Sequence, residues 1–179
     1  MKHITLAVTG SIAAYKAADL TSQLTKDIQK VTVLMSQAAT NFITPLTLQV
    51  LSKNLVHTDV MEEPAPNKVN HIEIAKQTDL FLVAPASANT IAKLANGFAD
   101  NMITSTALAL PTTVKKVLAP AMNTKMLDHP ATQRNLKLLQ DYGYQIIQPR
   151  EATLACGDQG SGALATVDTI IQAVKENCL

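Results

Sequence analysis

Four short apolar runs recur along the chain, at residues 4–9, 30–35, 80–84 and 114–119, and each is stopped by glycine, serine or proline. None keeps a strict alternation of apolar with polar residues along its length, as a strand with one wet face would. Runs of this length and nearly continuous apolar character are strands buried on both faces. Helical stretches lie between them: an alanine-rich segment at 12–20, a Thr44-Pro45 start running to about Lys53, and segments at 71–77, 88–96, 100–110, 130–142 and 167–177. Asn70 is expected to cap the helix at 71–77, and Thr44 the helix that opens with proline at its first position. Gly97 and Gly143 stand where helix ends favour glycine. Residues 55–60 and 144–147 read as further short strands, and 62–68 as a polar, proline-punctuated loop. Both-face-buried strands alternating with helices specify an α/β fold, a parallel sheet with helices on both faces.

The 179 residues predict one domain over 1–179 with a sizeable core, and 47% hydrophobic residues are enough to fill it. A net charge of +1 with acids and bases interspersed gives no support for nucleic acid or an anionic membrane as partner. The first apolar run is strand-sized and lacks signal-peptide architecture, so a cytoplasmic protein is expected. Two cysteines, Cys156 and Cys178, make no disulfide framework and supply too few thiolates for a structural zinc site.

Ligands of open parallel sheets bind beyond the carboxyl ends of the strands. Three polar helix starts are expected there: Gly10-Ser11 after the first run, Ser36-Gln37 after the second, and Ser87-Ala88-Asn89-Thr90 after the third. Free backbone N–H groups and the helix dipole suit such positions to phosphate. Neither the dinucleotide fingerprint nor a Walker loop is present. After the fourth run, Ala121-Met122-Asn123 brings an amide beside Met122 and Met126. His71, at a helix start, would be favoured as the neutral imidazole and so as a base. Three of the six glycines, Gly157, Gly160 and Gly162, cluster around Cys156 and Asp158. They read as a mobile substrate loop or as a surface turn beside a structural thiol.

Taken in order, Gly10-Ser11-Ile12-Ala13-Ala14-Tyr15-Lys16, Asn70-His71-Ile72, Pro85-Ala86-Ser87-Ala88-Asn89-Thr90, Pro120-Ala121-Met122-Asn123 and Ala155-Cys156-Gly157-Asp158 resemble the flavin-dependent cysteine decarboxylases over essentially the whole chain. The nearest likeness is to members acting on phosphopantothenoylcysteine in coenzyme A biosynthesis. The resemblance implies a Rossmann-like, flavodoxin-like fold binding FMN through Gly10, Ser11, Ile12, Ser36, Ser87, Ala88, Asn89, Thr90 and Ala121. It implies catalytic roles for His71 and Cys156, and substrate binding by Asn123, Met122, Ala155, Gly157 and Asp158. Cys156 would ride on a flap at about 150–165. The implied chemistry is flavin oxidation of the cysteine thiol, loss of carbon dioxide, and reduction of the ene-thiol with a proton from Cys156.

The resemblance also implies a homo-oligomer, a trimer or a dodecamer of trimers, with the cofactor near a subunit interface. Many bacterial relatives carry arginine where this chain has Ala163, and many carry a fused synthetase. A separate phosphopantothenate-cysteine ligase is therefore a further expected partner. Two other readings share much of the pattern: a peptidyl-cysteine decarboxylase, which releases its product unsaturated, and a non-catalytic regulatory flavoprotein.

Overall fold

The computed structural model describes residues 2–28, 30–63, 65–155, 157 and 159–178. In chain order its elements are β1 (His3–Val8), a 3-10 turn (Ile12–Lys16), α1 (Ala17–Ile28), β2 (Lys30–Met35), a second 3-10 turn (Gln37–Asn41), α2 (Pro45–Ser52), β3 (Val56–His57), α3 (Asn70–Gln77), β4 (Leu80–Ala86), α4 (Ala88–Ala95), α5 (Met102–Leu108), β5 (Lys115–Pro120), α6 (Thr124–Asp128), α7 (Pro130–Asp141), β6 (Tyr144–Ile146), β7 (Arg150–Thr153), β8 (Gln159–Ala163) and α8 (Val167–Cys178).

Six strands form one parallel sheet in the order β3-β2-β1-β4-β5-β6. Side chains of β1 and β4 alternate between two apolar clusters. Ile4, Leu6, Leu80 and Leu82 pack with Leu20, Leu24, Leu48, Ile170 and Val174 of α1, α2 and α8. Ala7, Phe81 and Val83 pack with Ile74, Ile91, Ile103 and Leu139 of α3, α4, α5 and α7. This is why both alternating positions of each strand had to be apolar. The chain winds outward from β1 to β3, then crosses to β4 and winds the other way, so the loops after β1 and β4 diverge. That switch point opens a crevice at the strand ends.

Local departures from the sequence expectations have plain causes. The alanine-rich stretch after β1 begins as a 3-10 turn, with Ser11 accepting from Ala13 N–H, and becomes α-helical only at Ala17. Asn70 does not cap α3: Val69 holds that position without a side-chain bond. The Asn70 amide instead lies 3.0 Å from His57 Nδ1, and its backbone N–H donates to Glu63 at 2.7 Å. Thr44 caps α2 as expected, accepting from Thr47 N–H. Gly97 and Gly143 have positive φ at the ends of α4 and α7.

At the amino end of the central strand β1, His3 is buried, its Nε2 2.8 Å from Thr32 Oγ1. Burial, reinforced by the Lys30 charge, holds its pKa below the ordinary imidazole value, and burial does the same for His57. Both therefore resist protonation in the folded state more than in the unfolded chain. The stability they support is present above about pH 6.5 and is lost as pH falls toward the depressed folded values. The melting temperature should fall as pH is lowered from about 7 toward 5, and His3→Gln should flatten that slope without abolishing it. A pH-independent melting temperature in the parent protein would contradict this.

Candidate active site

The ends of β1, β4 and β5 are tied into one platform. Thr9 Oγ1 donates to Pro85 O at 2.6 Å and accepts from Ser87 N–H at 2.8 Å. Ser11 Oγ donates to Ala121 O at 3.2 Å while capping the 3-10 turn. Ala121 N–H donates to Ala86 O. Gly10 is required by close approach, since a methyl there would stand 2.6 Å from Ala38 Cβ on the turn after β2. Over this platform opens a cleft of about 470 Å³, in the size range of small-molecule sites. Of the residues singled out in the sequence, Gly10, Ser11, Ile12, Ser87, Ala88, Ala121, Met122, Asn123 and Ala155 line it.

The other wall is an antiparallel hairpin, β7 paired with β8, separate from the main sheet. Ala152, Thr153, Leu154, Gly162, Ala163 and Leu164 from this segment face the cleft. Gly160 and Gly162, expected in a loop or turn, are strand residues of β8. Gly162 O accepts from Met122 N–H at 2.9 Å, and at φ +142° a methyl on Gly162 would run into Met122 O. A methyl on Gly160 would strike the Thr124 side chain. Gly157, at φ +90°, donates its N–H to Leu154 O at 2.8 Å in the connecting turn and does not line the cleft. Cys156 and Asp158, both singled out in the sequence, lie outside the described residues.

Gly162→Ala combines backbone strain of about 1–3 kcal/mol with loss of the Met122 contact. The expected result is a loosened hairpin on an intact sheet: faster protease cleavage within 150–163, with unchanged circular dichroism in the far ultraviolet. Unchanged protection of the hairpin would show that Gly162 is not what seats it.

Asn123 starts α6, its Oδ1 accepting from Lys125 N–H at 2.8 Å. Ser87 Oγ accepts from Thr90 N–H at the start of α4. Three polar helix or turn starts thus converge on one cleft, an arrangement that favours anions. Two cations, Lys16 and Arg150, also line it, and its lining among the described residues contains no carboxylate. The sequence reading missed Arg150. Only the strand register reveals it, pairing Arg150 with Ala163, the position where arginine was expected and is missing.

Besides Gly157, four expected residues do not line this cleft. Ser36 caps the turn behind Gly10, accepting from Ala39 N–H. Asn89 is exposed, and Thr90 is buried against Ser87. His71, the second residue of α3, is half-buried, and its Nδ1 has no hydrogen-bond partner among the described residues. No metal-binding cluster and no helix able to cross a membrane occurs among the described residues.

The chain is similar to known proteins along essentially its whole length. The chain is 65% identical over 175 residues to the probable phosphopantothenoylcysteine decarboxylase of Streptococcus mutans, covering 98% of each. It is 45% identical over 176 residues to the coenzyme A biosynthesis bifunctional protein of Bacillus subtilis, spanning 98% of this chain but only 43% of that one. Among solved structures it superimposes on a cysteine-to-serine variant of a PPC decarboxylase complexed with pantothenoylaminoethenethiol, with a TM-score of 0.89 and 32% identity over 98% of this chain and 97% of that one. The FMN-binding protein AtHal3 matches with a TM-score of 0.86 and 33% identity over 98% and 95%. With the Flavoprotein family matched along residues 1–179, the chain belongs to that family.

Proposed function

We propose that the chain decarboxylates phosphopantothenoylcysteine to phosphopantetheine in coenzyme A biosynthesis, with FMN as its flavin. The observation that carries this is the switch-point cleft, with Asn123 and Met122 on one wall and the hairpin on the other. The near-full-length 65% identity to a probable enzyme of this activity supports it over the peptide-acting alternative.

The cleft suits a flavin mononucleotide on two counts. Ser11 and Ser87 mark helix and turn starts for a phosphate, and Ile12, Met122 and Met126 offer apolar wall. A bound flavin supplies a reversible hydride acceptor, without which loss of carbon dioxide from a cysteine carboxylate would leave an unstabilised carbanion. The protein's own share is position and protons. Asn123 holds the reacting carboxylate, His71 assists the oxidative half as base or orienter, and Cys156 protonates the decarboxylated carbon. Residues 150–165 act as the flap that keeps water out, with Ala155, Gly157 and Asp158 among its substrate contacts.

His71 lies off the cleft of its own chain, which supports an assembly in which a second copy brings it in. Ile12 and Tyr15, at the cleft, are 59% and 60% exposed, apolar surface that such a copy would cover. Ser36, Asn89 and Thr90 take positioning roles for the cofactor turns in this reading. A ligase joining cysteine to phosphopantothenate supplies the substrate.

The test is direct. The protein is purified, reconstituted with FMN, and given phosphopantothenoylcysteine while carbon dioxide and phosphopantetheine are measured. Failure to retain FMN, or release of carbon dioxide with only the unsaturated thiol as product, would sink the reading.

A further inference from the structure

We infer that Arg150, with Lys16 beside it, receives the phosphate of the substrate and so sets the preference for a phosphorylated arm. The inference rests on the proposed activity and deepens it.

The side chain is placed rather than adrift. Arg150 opens β7, its Nε donates to Leu164 O at 3.2 Å, and the register between β7 and β8 shifts between Arg150 and Glu151. The extra residue at that shift is Gly162 of β8, whose O accepts from Met122 N–H, and in the hairpin so seated Arg150 lines the cleft. Opposite it in the register stands the small residue Ala163, which lines the same cleft.

Lys16, from the turn after β1, lines the same cleft. Burial, and then the charge of Arg150, lower the Lys16 pKa, so the two cations feel each other. No carboxylate among the described residues forms an ion pair with either. Two like charges lining one cleft without a counter-charge are unfavourable until an anion sits between them.

The proposed substrate carries two anions at opposite ends. Its carboxylate is assigned to Asn123 at the end of β5, and the turn starts at Ser11 and Ser87 serve the cofactor. The remaining anion is the phosphate of the pantothenoyl arm, strongly hydrated and best kept at a solvent-accessible mouth. Arg150 is exposed while facing the cleft, and its planar fork suits bidentate contact with phosphate.

The test compares the FMN-reconstituted protein with its Arg150→Gln and Arg150→Lys variants. Phosphopantothenoylcysteine and pantothenoylcysteine, which lacks the phosphate, serve as substrates. Binding of phosphopantetheine and pantetheine is measured by calorimetry alongside. For Arg150→Gln, KM for the phosphorylated substrate should rise about 10- to 100-fold, with kcat within about twofold. The dephosphorylated substrate, the flavin content and the visible spectrum should be unchanged, and Arg150→Lys should recover part of the loss. Equal losses on both substrates would mean a structural role and overturn the inference, as would no loss at all. Loss of FMN would assign the guanidinium to the cofactor instead, also against it. If the parent protein decarboxylates neither substrate yet loses its preference for phosphopantetheine on Arg150→Gln, the phosphate site stands and the proposed reaction falls.

Discussion

Asn123→Asp should lower kcat/KM for phosphopantothenoylcysteine by roughly two to three orders of magnitude while leaving the fold and the bound flavin intact. The fold survives because aspartate is as good a helix cap as asparagine. Its carboxylate can accept from Lys125 N–H as the Asn123 Oδ1 does now, at 2.8 Å. What changes is charge. An added carboxylate about 4 Å from the substrate carboxylate costs about 4 kcal/mol at an effective dielectric constant near 20. That corresponds to about a thousandfold in rate, and the Lys16 and Arg150 charges on the same cleft reduce it somewhat.

Asn123→Ser is the control. Serine keeps a neutral cap but loses the amide, so it should lose activity without the repulsion, by about 10-fold or more. Rates for the two variants and their visible spectra decide the matter. If Asn123→Asp loses flavin, Asn123 belongs to the cofactor site. If serine and aspartate are equally impaired, the residue does not face a carboxylate.

The platform under this site was legible in the sequence because its strands are buried on both faces. Leu80 to Ala86 is buried at every position, so the apolar run could mean little else. The polar starts at Ser11, Ser36 and Ser87 were equally readable, since each carries out its capping bond. The hairpin was not readable. Arg150–Thr153 and Gln159–Ala163 contain no alternation of apolar and polar residues, because only one edge of so small a sheet meets the cleft. Glycines at 160 and 162 suggested a loop or turn, yet their smallness serves docking against Thr124 and Met122. That requirement is tertiary and leaves no local pattern. Arg150 was missed for the same reason: a lone arginine after proline acquires meaning only from its strand partner. Asn70 misled in the opposite way, a good cap by type that long-range contacts with His57 and Glu63 draw elsewhere.

Cys156→Ser is expected to divert the product rather than stop carbon dioxide release. In the proposed reaction the carboxylate leaves before Cys156 is needed, so a lost proton donor strands the molecule as the unsaturated thiol and the flavin in its reduced form, which dissolved dioxygen must reoxidise before each further turnover. A thiol with an ordinary pKa near 8.5 is mostly protonated at neutral pH and still acidic enough to give its proton to a carbon. An alcohol of the same shape is a far weaker acid. Positioned general acids contribute about 10²- to 10⁴-fold, so formation of phosphopantetheine should fall by that factor. The species that accumulates should be two mass units lighter than phosphopantetheine. Serine is nearly isosteric and Gly157, the next residue, keeps its turn with Leu154, so circular dichroism and flavin content should not move. Mass spectrometry of the reaction mixture separates the possibilities. Saturated product at the parent rate would remove Cys156 from the chemistry. Loss of carbon dioxide release along with the saturated product would place Cys156 in the oxidative half, beside His71 and Asn123, instead of in the step that follows it.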